Sequence, residues 1–231
     1  NTSANDTFSA GDKTTENTNH LYQSVNSSFA RKLLLDQLLK QKSVGFYIET
    51  IGEDLFETDL AGVAFSYEKG KGYFVALPEN KEETQQILEE MRPFFENENI
   101  EKIGHDLKNS IKILSNHQIE IKGKLFDIML AHYLINPDMR HDLIVLTETY
   151  LNYKPINLDA FLGKKGKNQI SIREIDLKKQ TEYAVENADV TFQLKDFFEK
   201  ELNSSNLTKL FDDIEMPLLR VLAAMELEGI K

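Results

Sequence analysis

Cysteine is absent from the 231 residues, which excludes disulfides, thiolate metal sites and cysteine nucleophiles. A chain without cysteine fits a reducing, cytoplasmic setting, and that is the location the sequence predicts. No apolar run reaches the roughly 18 residues that a membrane span requires, so no membrane partner is expected. There is no basic-then-apolar leader and no Met at position 1, and the chain reads as a piece of something longer. Positive charge is in short supply: 27 Lys and Arg face 38 Asp and Glu, a net charge of -11. Proteins that coat nucleic acid are ordinarily basic, so DNA contact has to be local here, and weak in isolation. Internal repeats, a glycine-rich phosphate loop and a nucleophile triad are also missing.

What remains is an ordinary globular composition, 41% hydrophobic and 28% charged. It is unevenly spread. Residues 1–28 hold fifteen Ser, Thr or Asn and few large apolar groups. Such a stretch buries too little surface to offset its ordering entropy. Residues 1–20 are therefore expected to be a disordered linker, followed by a short strand near Leu21–Val25. Beyond it, Leu33, Leu34, Leu35, Leu38 and Leu39 make a helical stripe, with Ser28 as N-cap. Val44–Glu49 is a short apolar run ending in a carboxylate and suits a central strand. Leu60–Tyr67 and Gly72–Leu77 read as a hairpin closed by Glu68–Lys71. Asn80 and Glu83 form a capping box for a helix in which Pro93 bends or ends the last turns. Then come a strand at Ile100–Gly104, a helix at Leu107–Asn116, a strand at Leu125–Phe126, and helices over Asp127–Ile135, His141–Leu151, Leu177–Leu202 and Phe211–Glu228. The order predicts an α/β fold with a mixed sheet covered by helices.

Three segments carry a family resemblance. Ile214–Lys231, with Glu215-Met-Pro-Leu and Gly229-Ile-Lys, resembles the helix that opens the polymerase domain of bacterial family A DNA polymerases. Lys124–Leu134 with Arg140-His-Asp142 resembles the middle of their 3'-5' exonuclease domain, and Tyr183–Thr191 resembles the last exonuclease motif. Gly163–Gln169 also fits. The resemblance covers about Leu21 to Lys231. It implies a ribonuclease-H-like fold with a five-stranded mixed sheet, one strand of it antiparallel. It divides the chain into the linker, an exonuclease-like domain over 21–205, and the start of a polymerase domain over 206–231. The polymerase domain of the same chain and DNA are the implied partners, and the chain is expected to be a monomer.

In that family two divalent metals clamp the attacking water and the leaving oxygen. Mg²⁺ or Mn²⁺ wants oxygen ligands, and the family supplies four carboxylates. Carried over position by position, the first-strand Asp-x-Glu becomes Tyr47-Ile48-Glu49, so Glu49 alone survives. Ser110 stands at the carboxylate position of the helix after the fourth strand. The last motif keeps Tyr183, which places the water in active relatives, but has Asn187 where an Asp belongs. One unit-charge pair at about 4 Å is worth roughly 4 kcal/mol at an effective dielectric near 20. Losing three carboxylates removes several such terms, so the resemblance implies a degenerate exonuclease with no metal cofactor in this chain, in contrast to Mg or Mn in active relatives. The rival reading is a working proofreading exonuclease built on Glu49, Asp106 and neutral ligands. A third is a free-standing ribonuclease-D-like nuclease, against which the polymerase-like tail argues.

The remaining candidates have plainer readings beside them. Asp106 reads as the N-cap of the helix at Leu107. Glu186 is expected in solvent, and Asp189 is expected to face away from Asn187. Tyr183 and Asn187, four apart, are expected to form a satisfied pair facing the sheet. Asp127 follows a strand and caps a helix. His105, His132 and His141 are scattered in sequence, and His105 is a candidate contact for single-stranded DNA. Lys164, Lys165 and Lys167 form a basic loop suited to phosphates. Glu53 and Asp54 are expected on an exposed turn.

Overall fold

A computed structural model describes residues 13–52, 59–163 and 170–229. Six strands form one sheet: β1 (Leu21–Ser24), β2 (Ser43–Ile51), β3 (Asp59–Glu68), β4 (Lys71–Ala76), β5 (Glu101–Gly104) and β6 (Leu125–Asp127), in the spatial order β1-β4-β3-β2-β5-β6. β3 pairs antiparallel with both β2 and β4, while the β1–β4, β2–β5 and β5–β6 pairs are parallel. β3 therefore runs against the rest, as the resemblance implies. The strand count is six rather than five. The added member is the short edge strand β1, held to β4 at its ends by Leu21 N–H to the Gly70 carbonyl and Val25 N–H to the Phe74 carbonyl, both 2.7 Å.

The helices are α1 (Ser28–Leu38), α2 (Lys81–Phe95), α3 (Leu107–Asn116), α4 (Ile128–Ile135), α5 (Leu143–Leu151), α6 (Asp159–Leu162), α7 (Leu177–Ser204), α8 (Thr208–Leu210) and α9 (Met216–Leu227). Ser27 rather than Ser28 caps α1, its hydroxyl accepting from Ala30 N–H at 3.2 Å. Asn80 caps α2 through Glu83 N–H at 2.9 Å, and the helix runs past Pro93 to Phe95 before ending. The last helical stretch is broken up. A π-helical turn over Phe211–Glu215 links α8 to α9. Pro217 follows it and has no N–H to give to an upstream carbonyl, so a regular α-turn cannot close there. No helix among the described residues is long and apolar enough to cross a membrane.

β2 organises both faces of the sheet, because successive side chains point to opposite sides. Val44, Phe46 and Ile48 enter the larger core, where Phe46 and Phe95 meet edge to face at 5.6 Å and Phe65 and Phe94 at 5.3 Å. Each such ring contributes roughly 1.5–3 kcal/mol by leaving water. Gly45, Tyr47 and Glu49 face α7. A Cβ on Gly45 would sit 2.7 Å from the Ala188 carbonyl oxygen, and one on Gly72 would sit 2.4 Å from Val185 Cγ1. Bare backbone at these two points lets the 28-residue α7 lie directly on the sheet.

Residues 13–20, expected in the linker, are laid along this assembly. Lys13 bridges to Tyr153, and Thr15 Oγ1 bonds Glu186 at 3.3 Å. Residues 1–12 lie outside the described part of the chain. At the other end α9 packs on α3, with Glu226 paired to Lys108 and Lys112 and the Arg220 guanidinium donating to the carbonyls of Ile121 and Gly123.

Candidate active site

Strand alternation on β2 and the four-residue spacing on α7 bring Tyr47, Glu49, Tyr183 and Asn187 into the layer between sheet and helix. The Tyr47 and Tyr183 rings meet edge to face at 6.1 Å. A β-bulge lies beside them: Glu49 pairs with Gly62, but Thr50 already pairs with Leu60, so one residue of β3 is extra. Bulges bend a strand and re-aim its side chains. Here the bulge falls where the central strand delivers its one acid.

Glu49 is 5% exposed. Burial pushes its carboxyl up to about 8, and a hydrogen bond from Tyr47 offsets only part of that. Its Oε2 has no hydrogen-bond partner among the described residues. The Tyr47 hydroxyl is pushed well above its ordinary value by burial and by Glu49. Tyr183 rises to about 12 for the same two reasons, in the same order. The centre of the site is thus two neutral phenols around a carboxyl that stays protonated near neutral pH. Asn187 is not turned on Glu49. Its Nδ2 donates to the Tyr183 backbone carbonyl at 2.8 Å, one turn back along α7. The expected Tyr183–Asn187 pair thus includes a bond to the Tyr183 backbone carbonyl, beside an Asn187 side-chain hydrogen bond to the Tyr183 phenol that offsets part of its rise.

Ser110 lies half-buried on α3, beyond the carboxyl end of β5, and no hydrogen bond joins it to Glu49, Tyr183 or Asn187 among the described residues. Asp106 does occupy the N-cap position of α3, but in the left-handed region at φ 58°, and its side chain does not cap the helix. Its carboxylate takes the Asn109 side-chain amide instead. The cap comes from Asp127. One Oδ accepts from Leu107 N–H at 2.7 Å, and the other from Met129 and Leu130 N–H at 2.8 and 3.2 Å. A single buried carboxylate at the end of β6 serves the first turns of both α3 and α4.

Two expectations for α7 divide. Asp189 does face away from Asn187, accepting from the Tyr22 hydroxyl at 2.7 Å and from Gly70 N–H. Glu186 is not in solvent. It is 1% exposed and accepts from the Tyr153 hydroxyl and Ile156 N–H, both at 2.6 Å. Burial lifts it to about 7 against those bonds. Thr15, Tyr153 and Ile156 cover the face to which it points.

The histidines are gathered rather than scattered. His132 and His141 bond through their Nδ1 atoms at 2.7 Å, His132 Nε2 meets the Tyr150 hydroxyl at 3.0 Å, and His105 Nε2 donates to the His141 carbonyl at 2.7 Å. His105 thus ties the start of α3 to the segment before α5. Lys164, Lys165 and Lys167, like Glu53 and Asp54, lie outside the described residues.

The arrangement does not fit a pair of divalent metals. A dication pair needs several ionised oxygens, and this layer offers a single carboxyl beside two phenols and one neutral amide. No group of three or more acidic, histidine or cysteine side chains able to hold a metal is found among the described residues.

Residues 22–203 match the family model described as 3'-5' exonuclease, that of family A DNA polymerases. DNA polymerase I of Borreliella burgdorferi is 31% identical over 220 residues, covering 94% of this chain and 24% of that protein. DNA polymerase I of Pseudomonas aeruginosa is 30% identical over 206 residues, covering 84% and 22%. The chain spans about a quarter of the length of these curated relatives. Among solved structures, Brucella melitensis NrnC superposes with a TM-score of 0.71 at 18% identity, covering 92% of this chain and 95% of that one. The catalytic core of RRP6 from Trypanosoma brucei gives 0.68 at 17%, covering 87% and 54%. Their identity is low, and the likeness is one of fold.

Proposed function

This chain belongs to the 3'-5' exonuclease family of DNA polymerase I proteins, and from that premise we propose that its exonuclease fold has lost catalysis and serves as a scaffold beside a polymerase domain, where it guides DNA. The observation that carries this reading is the state of Glu49. It is the one acid left at the family's metal-binding positions, and it is buried beside Tyr47. One carboxylate brings a single negative charge to a pair of dications. Two dications about 3.5–4 Å apart repel each other and need several anions to offset it.

Residues 21–205 make up the exonuclease-like unit in this reading, and 206–231 begin the polymerase part. The pairing of Glu226 with Lys108 and Lys112 supports a fixed seam between the two. The chain acts as a cytoplasmic monomer and touches single-stranded DNA weakly, through Lys164, Lys165 and Lys167 and at His105.

The test is hydrolysis. With Mg²⁺ or Mn²⁺ the purified chain should release no label from a 3'-labelled single strand above background. Cleavage that persists through further purification and disappears in Glu49→Ala would overturn the proposal in favour of a working exonuclease.

A further inference from the structure

A cleft of about 310 Å³ opens at the other end of the sheet from Glu49. It lies by the β3–β4 turn, whereas Glu49 pairs with Gly62, six residues along β3 from Glu68 at that turn, or about 20 Å of strand. Four separate pieces of chain build it: the segment before β1, the β3–β4 turn, the residues around the end of α5, and the middle of α7. Its volume is at the lower end of the range for small-molecule sites, roughly 300–1,000 Å³.

The lining combines two chemistries. Lys13 and Lys69 are exposed cations in a molecule whose net charge is -11. His20, Tyr22 and Tyr153 supply rings, with His20 and Tyr22 only 4.6 Å apart between centroids and tilted by 45°. The rings are fixed in place. Tyr22 donates to Asp189 at 2.7 Å, Tyr153 to Glu186 at 2.6 Å, and His20 Nδ1 donates to the Thr18 carbonyl at 3.0 Å. Pre-set rings lose little freedom when a planar partner stacks on them. Gln193 gives its Nε2 to Asp189 at 3.0 Å, which leaves its Oε1 as an acceptor at the wall.

Asp189 decides the orientation of a ligand. It is a buried acid that already accepts from Tyr22, Gly70 and Gln193, so an anionic group is repelled from the inner wall. The anion belongs at the mouth, with the lysines, and the neutral planar part belongs inside. An amine on that planar part would meet Gln193 Oε1.

We propose that this cleft is a nucleotide site, distinct from the exonuclease layer: a nucleobase carrying an exocyclic amine stacks on the His20–Tyr22–Tyr153 wall, and its phosphate is held by Lys13 and Lys69. The same chemistry is offered by a free mononucleotide and by the phosphorylated end of a DNA strand. Stacking platforms joined to cationic grooves are the usual means of holding unpaired nucleotides.

The test is calorimetric titration of the full chain with dAMP, a 5'-phosphorylated dinucleotide, adenosine and inorganic phosphate. Saturable dAMP binding is expected, with adenosine and inorganic phosphate each weaker. The Lys13→Glu/Lys69→Glu pair, both at exposed positions, should weaken dAMP roughly tenfold or more while leaving adenosine unchanged. His20→Ala should weaken adenosine and dAMP together. Tighter dinucleotide binding assigns the site to strand ends, and equal or weaker binding assigns it to free mononucleotides. Three results would overturn the proposal: no saturable dAMP binding, dAMP binding indifferent to the lysine reversal, or inorganic phosphate competing as well as dAMP. None bears on catalysis at Glu49, so the two readings fail separately.

Discussion

Glu49 is where the chemistry of single residues weighs most. Its carboxyl sits near 4.5 in an unfolded chain and at about 8 in the folded one. The folded state therefore holds a proton that the unfolded state releases as pH rises above 4.5. Stability should fall between about pH 5 and pH 8, then level off once both states are ionised. Glu49→Gln keeps the size and removes the titration, so its stability curve should be flatter over that interval. At pH 9 it should exceed the wild type, by an amount on the order of 1–3 kcal/mol once relaxation around the charge is allowed for. Urea unfolding at pH 5 and pH 9 reads this directly, and equal pH dependence in the two proteins would contradict a buried, protonated Glu49. Tyr47, Glu49 and Tyr183 were legible as one group in the sequence, because strand alternation and the family motif point the same way. The burial of Glu186 was not. Its partners Thr15, Tyr153 and Ile156 lie 30 or more positions away, beyond any local periodicity.

At the scale of elements, the strands and helices follow their local signals closely where those signals are self-contained. α3 spans Leu107–Asn116 as its apolar spacing predicts, and the Asn80 cap opens α2. The departures come from tertiary partners. Asp106 does not cap because its backbone is left-handed and its carboxylate takes the Asn109 amide, while Asp127, from another element, accepts from Leu107 N–H. β1 forms where the short strand near Leu21–Val25 is expected, and its parallel pairing with β4 is what the local sequence does not specify. Asp127 makes a strong prediction because it is fully buried and serves two helices. Asp127→Ala should cost about 3 kcal/mol or more, since it leaves three backbone N–H groups without their acceptor. Asp127→Asn, which keeps oxygen on one side, should cost less. Gly45→Ala tests the seat of α7. A methyl 2.7 Å from the Ala188 carbonyl and 2.8 Å from Phe192 Cβ must push the helix outward, for roughly 1–3 kcal/mol of lost stability in denaturant. A neutral result would mean that α7 is held less closely than the geometry says.

For the whole molecule the governing fact is charge. With 38 acidic against 27 basic residues, long-range steering works against DNA, and the binding proposed here rests on a few lysines. Polarisation titrations with a labelled single strand should give weak binding with a salt slope no steeper than about -2, the value for three neutralised phosphates. The triple change Lys164→Ala/Lys165→Ala/Lys167→Ala should remove most of it. In the proposed reading, the same shortage of charge is concentrated at the family's metal-binding positions. Mn²⁺ titration followed by electron paramagnetic resonance therefore tests the account most directly, comparing the wild type with Tyr47→Asp/Ser110→Asp/Asn187→Asp. The wild type should leave the free-ion signal undiminished at micromolar Mn²⁺, while the acid-restored variant takes up the ion. Two spin-coupled Mn²⁺ ions bound by the wild type at micromolar concentration, and lost in Glu49→Gln, would contradict it.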